Sequence, residues 1–192
     1  MPQKAKFSKE EVIDEAVAIV EQQGIDALTA RALGQKLGSS ARPIFTVFNS
    51  MEDVTNAVIL KAKSIYKSYV DVGLQQEPAF KGVGQAYIEF ATKHPKLFQL
   101  LFMREQKGVQ TLHSVLGIIE ESYEKILSSI TDNYGLDKNV AEKLYLHLWI
   151  YSHGIAVLIA TNVCQFSASE ISAMLTQVFS SLLRKIKCEG SL

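Results

Sequence analysis

Residues 28–50 read Leu28-Thr29-Ala30-Arg31-Ala32-Leu33-Gly34-Gln35-Lys36-Leu37-Gly38-Ser39-Ser40-Ala41-Arg42-Pro43-Ile44-Phe45-Thr46-Val47-Phe48-Asn49-Ser50, and this stretch decides the fold. Thr29 opens a helix, with Leu28 and Leu33 spaced as a hydrophobic staple around its start. Leu33 and Leu37 face inward before Gly38 stops the pattern. After the turn Gly38-Ser39-Ser40, a second helix is expected over Ala41 to Phe48, with Ile44, Phe45 and Phe48 at helical spacing. Pro43 falls in its first turn, where a missing N–H costs nothing. Two short helices joined by a glycine turn form a helix-turn-helix pattern.

Upstream, Val12, Ile13, Ala16, Val17 and Val20 share one face of a helix over about 8–23. Ser8 and Glu11 have capping-box spacing, Phe7 and Val12 staple spacing, and Gly24 stands where positive φ ends a helix. Downstream, Ser50, Glu52 and Asp53 open a longer helix to about Val70. A linker from Gly73 to Phe80 follows, then helical patterns over about 81–93, 95–103, 109–132, 137–165 and 167–187. Ser167 with Glu170 repeats the capping box. No period-two strand pattern occurs, so the fold class is all-α, with about nine helices. The expected division is a three-helix head over 1–50 and a helical bundle over 51–192, with the helix 51–70 connecting them.

Composition limits the function. The 192 residues include 20 Lys+Arg and 20 Asp+Glu, so any attraction to nucleic acid must be local rather than global. Residues 1–49 hold six bases and six acids, but from Ala27 to Ser50 there are three bases and no acid. The chain is neutral on average and basic at the turn. Two cysteines, Cys164 and Cys188, make no disulfide framework, and four histidines without a spaced carboxylate make no metal site. No apolar run reaches the roughly 18 residues of a membrane span, so the expectation is a cytoplasmic protein without membrane attachment. A phosphate loop, a nucleophile motif and a spaced carboxylate pair are all missing. Neither an enzyme nor a cofactor is expected.

In a helix-turn-helix the second helix enters the major groove. Thr29 and Arg31 then sit where a helix N-terminus meets phosphate. Arg42, the only base on the second helix, is the candidate for a guanine O6/N7 edge. Ser40, Ala41, Pro43 and Thr46 complete the exposed side, and Lys4 and Lys6 form an arm over the backbone. Short glycine-linked helix pairs also occur in bundles that bind no DNA.

The run Ala16-x3-Val20-x3-Gly24-x4-Thr29-x-Arg31-Ala32-Leu33-x3-Leu37-Gly38-x-Ser40-x3-Ile44-Phe45-x2-Phe48 resembles the DNA-binding domain of TetR-family transcriptional regulators. The resemblance implies a DNA-binding head, a long connecting helix, a homodimer on a pseudo-palindromic double-stranded operator, and a repressor released by a small-molecule inducer. It also implies that Phe45 occupies a DNA-contacting position. Farther along, Trp149-x3-His153-Gly154 and the Phe90 to Leu101 segment resemble a Trp-His-Gly class of C-terminal domain in that family.

Within the second half, Phe90, Phe98, Phe102, His113, Tyr123, His147, Trp149, Tyr151 and His153 are the candidates to line a cavity for a hydrophobic or amphipathic effector. For His153 two readings stand: it orients a polar group of the ligand, or it packs in the core with its ring nitrogens satisfied. The final helix carries Ile171, Met174, Leu175, Val178, Phe179, Leu182, Leu183 and Ile186, a stripe wider than one contact with its own body requires. With Val157 on the preceding helix, Ile171, Met174, Val178, Phe179 and Leu182 are the expected dimer contacts. An alternative is an adaptor of the same fold that binds a protein or acyl ligand without operator binding.

The family usually carries Val after the turn glycine, Tyr at the position of Phe45, often His at that of Val47 and Lys at that of Met51. Phe45 lacks a hydroxyl for phosphate and Met51 lacks a charge, with Lys61, Lys63 and the Lys4/Lys6 arm as possible compensation. Fewer phosphate contacts mean a shallower slope of log K against log salt than in close relatives. Operator titrations across a salt series check this, and a slope as steep as theirs removes the expectation.

Overall fold

The computed structural model describes residues 6–105, 111 and 122–189. Among them are eight α-helices, two short 3-10 segments and no strand. The described residues divide into two compact units: one holds the residues up to Ile65 with Lys96–Arg104, the other Tyr66–Pro95 with the residues from Glu105 onward. The division falls inside the helix that begins at Met51.

In the first unit, α1 (Lys9–Gln23) starts with a closed capping box. The Glu11 amide donates to Ser8 Oγ at 3.1 Å and the Ser8 amide to Glu11 Oε2 at 2.7 Å. Such a cap contributes about 1 kcal/mol. Gly24 ends the helix with φ 87° and ψ 172°; φ is positive as expected, but the extended ψ is outside the αL well. A 3-10 turn, Ile25–Ala27, leads to α2 (Ala30–Lys36), whose N-cap Thr29 accepts from the Ala32 amide at 3.1 Å. Val12, Ala16, Val20, Leu33, Ile44, Phe48, Val54 and Val58 are buried and form the core here.

The second half of the motif departs from expectation. It is a five-residue 3-10 helix, Arg42–Thr46, rather than an α-helix from Ala41 to Phe48. Pro43 has no amide to offer, and the Thr46 hydroxyl takes the Pro43 carbonyl at 2.6 Å. The Ile44 and Val47 amides reach back three residues, to Ala41 and Ile44. Short segments tolerate this tighter winding.

Helix α3 (Met51–Leu74) runs four residues beyond the expected end at Val70. In the second unit, α4 (Ala79–Lys93) packs against α6 (Tyr123–Tyr134), α7 (Lys138–Ala160) and α8 (Ala168–Glu189). The short α5 (Pro95–Phe102), which from Lys96 onward belongs to the first unit, buries Leu97, Phe98, Leu100 and Leu101. Within the helix expected over 109–132, the described residues show a helix from Tyr123 to Tyr134 with Ser122 as its N-cap; residues 109–110 and 112–121 lie outside the described residues. Helix α7 stops at Ala160 rather than at 165 because Asn162 turns left-handed at φ 58°. Its amide donates to Ile159 and that of Val163 to Leu158. That is a Schellman closure with asparagine in the glycine position. Ser167 and Glu170 close the capping box before α8, the Glu170 amide meeting Ser167 Oγ at 3.2 Å and the Ser167 amide meeting Glu170 Oε2 at 2.7 Å.

The C-terminal turns of α3 cross α4 backbone to backbone. A Cβ on Gly73 would lie 2.8 Å from the Gly82 carbonyl, and one on Gly82 would be driven into the Gly73 carbonyl oxygen. By contrast a Cβ on Gly84 would meet Leu175 at 3.6 Å, ordinary contact. Gly82→Ala should therefore lower unfolding stability by about 1–3 kcal/mol or more through overpacking, while Gly84→Ala stays near the parent protein. Urea titrations of the two variants check this, and equal midpoints would contradict it.

Candidate nucleic-acid interface and ligand cavity

The turn between α2 and the 3-10 segment is held by its backbone. Gly38 adopts φ 63°, the Gly38 amide donates to the Gln35 carbonyl at 3.0 Å, and the Ser39 amide to the Gly34 carbonyl at 2.8 Å. These are the two bonds of a Schellman motif. They fold the chain back so tightly that a Cβ on Gly34 would lie 2.9 Å from both the Ser40 carbonyl carbon and the Ala41 amide nitrogen. Gly34 is a positional requirement that no side-chain pattern announces. Its sequence signal is its place four residues before the turn glycine.

Around this turn Thr29, Arg31, Ser40, Arg42, Phe45 and Thr46 are exposed, and Ala41 and Pro43 half-buried. Phe45 leaves 44% of its surface in solvent, so of the expected inward trio only Ile44 and Phe48 join the core. Neither Arg31 nor Arg42 is ion-paired among the described residues. Lys36 meets Glu15 at 4.0 Å, with both side chains about 40% exposed; a pair of that kind is worth roughly 0–1 kcal/mol and yields to a phosphate. Lys6 donates to Ser39 Oγ at 3.1 Å, which brings the N-terminal arm to the turn. Lys4 lies outside the described residues. Lys61 is engaged with Asp14 at 3.2 Å.

The second unit encloses a cavity of about 310 Å³. Its wall is largely aromatic: Tyr66, Phe80, Tyr87, Tyr134, Tyr145, Trp149 and Phe179, with Leu148 and Leu175. Of the nine residues expected to line it, Trp149 does so, and Phe179, expected at a dimer contact, does as well. Phe90 is fully buried, its ring 5.3 Å from that of Tyr66 and 5.6 Å from that of Tyr69. Phe98 and Phe102 pair with each other at 5.0 Å in the first unit. Tyr123 stands behind the wall: its ring is 5.6 Å from that of the lining Tyr145, and its hydroxyl donates to Glu142. Burial, and then the Glu142 bond, push that hydroxyl well above the ordinary tyrosine range. His147 is exposed, Tyr151 half-buried, and His113 lies outside the described residues.

His153 supports the wall from outside. Its Nδ1 lies 2.9 Å from the Tyr87 hydroxyl, and its ring stacks on Trp149 at 4.8 Å with 12° between planes. Partial burial holds its pKa below the ordinary histidine value. Six aromatic lining residues, Tyr66, Phe80, Tyr87, Tyr134, Tyr145 and Phe179, are not among the nine expected from the sequence. Of these only Phe179 belonged to a pattern, the stripe on α8, whose inner side faces the cavity.

Residues 80–184, more than half of the chain, match the family described as tetracycline repressor-like, C-terminal domain. The chain belongs to the TetR family of transcriptional regulators. This regulator is 26% identical over 162 residues to an uncharacterized HTH-type transcriptional regulator of Mycobacterium tuberculosis, a span of 83% of this chain and 73% of the relative. Its fold is that of a TetR-like regulator from Rhodococcus sp. RHA1, with TM-score 0.63 and 15% identity over 96% of this chain and 97% of that one. The fatty acid degradation regulator FadR of Bacillus halodurans shares the fold at TM-score 0.60 and 16% identity, over 92% and 98% of the two chains. Among the described residues no helix is long and apolar enough to cross a membrane, and no group of His, Cys, Asp and Glu could hold a metal ion.

The lowered pKa of His153 sets a sign for the pH dependence. Below about pH 6.5 the unfolded chain protonates this imidazole while the folded chain keeps it neutral. Stability is therefore lost as pH falls through that region, down to the lowered folded value. His153→Asn should flatten the fall between about pH 7 and 5 relative to the parent. Urea unfolding at stepped pH checks it, and parallel profiles would contradict it.

Proposed function

We propose that the chain is a cytoplasmic, homodimeric repressor that leaves a pseudo-palindromic operator when a hydrophobic or amphipathic small molecule fills the cavity. The observation that carries the reading is the backbone-fixed turn at Gly38, in a stretch from Ala27 to Ser50 that holds no acid, where Arg31 and Arg42 stand exposed and without an ion pair among the described residues. Arg42 reads a base edge, and Thr29 and Lys36 position the phosphates. The exposed Phe45 ring meets sugar or a thymine methyl in place of phosphate. The division of labour is a head ending near residue 50 and a body over 51–192.

Two subunits associate through α7 and α8. Ile150 and Leu158 are 53% and 38% exposed on α7, with Val157 half-buried between them in sequence, and Ile171, Met174, Val178 and Leu182 are half-buried on α8. Leaving such a stripe in water is costly at roughly 25 cal/mol per Å². A twofold axis then sets two heads about 34–36 Å apart, one turn of DNA. Effector binding favours a head spacing that no longer fits, through its different affinity for the two states.

On its operator, Arg42→Ala should cost about 1–3 kcal/mol and relax the preference at one base pair, while Lys36→Ala weakens all sequences alike and lowers the salt slope by about one. Gel shifts on the promoter beside its own gene, with systematic base changes, measure both. Unchanged affinity in Arg42→Ala overturns the recognition assignment. No shift from the parent protein on any promoter fragment would favour the adaptor.

A further inference from the structure

The cavity is asymmetric in charge. Helix α4 begins at Ala79 with Pro78 as its N-cap, no side chain caps its first amides, and its first turn holds no acid. Pro78, Phe80 and Lys81 all line the cavity, so the positive end of a 15-residue helix opens onto it. No carboxylate is among the described lining residues. Lys81 is half-buried, and its ammonium has neither ion pair nor hydrogen bond among the described residues.

A second polar group points the same way. Ser152 is only 5% exposed, lines the cavity, and its hydroxyl has no hydrogen-bond partner among the described residues. No side-chain oxygen among those residues is both sealed and unpaired, so this hydroxyl opens into the cavity. It lies 3.9 Å from the place of a Cβ on Gly84. Gly84 follows Lys81 by three residues on α4, hence on the same side and about one turn along. Lacking a side chain, it leaves the space beside the hydroxyl open.

A largely aromatic wall with Lys81 as the one charged residue among those lining it discriminates by charge. A cationic ligand is repelled there, a neutral one leaves the ammonium uncompensated, and a single anionic group forms a charge-assisted hydrogen bond at reduced dielectric. The volume of about 310 Å³ is at the low end of the roughly 300–1,000 Å³ typical of small-molecule sites. It holds one chain or ring system of modest size. We propose that the ligand of this cavity is an amphipathic monoanion, its carboxylate held by Lys81 and the N-terminus of α4. Its apolar body lies among Tyr66, Tyr87, Tyr145, Trp149 and Phe179, and Ser152 donates to an oxygen at or next to the head group. The inference rests on the reading of the cavity as the effector site.

Trp149 is the only tryptophan of the chain and lines the cavity, so its fluorescence reports occupancy. The full-length protein is titrated with decanoate, 1-decanol and decyltrimethylammonium, which share one body and differ in head charge. Decanoate is expected to bind at least about tenfold more tightly than the alcohol, the worth of one charge-assisted hydrogen bond, and the cation most weakly. Lys81→Met should remove the preference for decanoate over the alcohol, and Lys81→Arg should restore it. Equal affinity of the three probes, or an unaltered preference in Lys81→Met, overturns the head-group assignment and leaves the cavity reading standing. No response of Trp149 to any probe in protein of native helical content overturns both.

Discussion

The Ser39 amide reaches the Gly34 carbonyl at 2.8 Å, and the surface proposed to meet DNA depends on that bond. It can form only because Gly38 turns left-handed and because Gly34 presents no Cβ to Ser40 and Ala41. Two glycines four apart thus convert a seven-residue helix into a platform from which the next segment departs at one angle. Ile44 and Phe48 then anchor that segment in the core, which leaves Arg42, Phe45 and Thr46 facing solvent. Charge enters last, on side chains whose direction the backbone has already set.

The second unit is organised around α4 instead. Its buried face supplies Phe80, Val83, Ala86, Tyr87 and Phe90 to the core, and the same helix borders the cavity. Tyr87 belongs to both structures, since it lines the cavity while its hydroxyl meets His153. The stack of His153 on Trp149 continues the support along the neighbouring helix α7. Only Trp149 of that pair borders the space directly, which separates lining from support along one face of a helix.

What was legible in the sequence follows from the range of each interaction. The capping boxes at Ser8 and Ser167, the N-cap at Thr29 and the stop at Gly38 use partners within a few residues, so the spacing of residue types reveals them. The winding of Arg42–Thr46 was not, because a Thr46 hydroxyl competing for a carbonyl leaves apolar spacing unchanged. The end of α7 was missed because Asn162 looks like any polar residue until its φ is known. The cavity was the least legible part. Tyr66, Tyr87 and Tyr145 come from three helices far apart in sequence, and apolar periodicity marks an inward face without saying whether that face meets side chains or empty space.

The glycine crossing of α3 and α4 has a mechanical side. Most helix contacts are cushioned by side chains that change rotamer when one helix shifts, and a small displacement is absorbed within the layer between them. At Gly73 and Gly82 there is no such layer, because carbonyl and Cα face each other directly. A shift of α4 toward α3 at that point meets backbone rather than side chain. The crossing is a stiff contact placed at Gly82, three residues past the Ala79 start of the helix that borders the cavity. Its stiffness comes from two missing side chains.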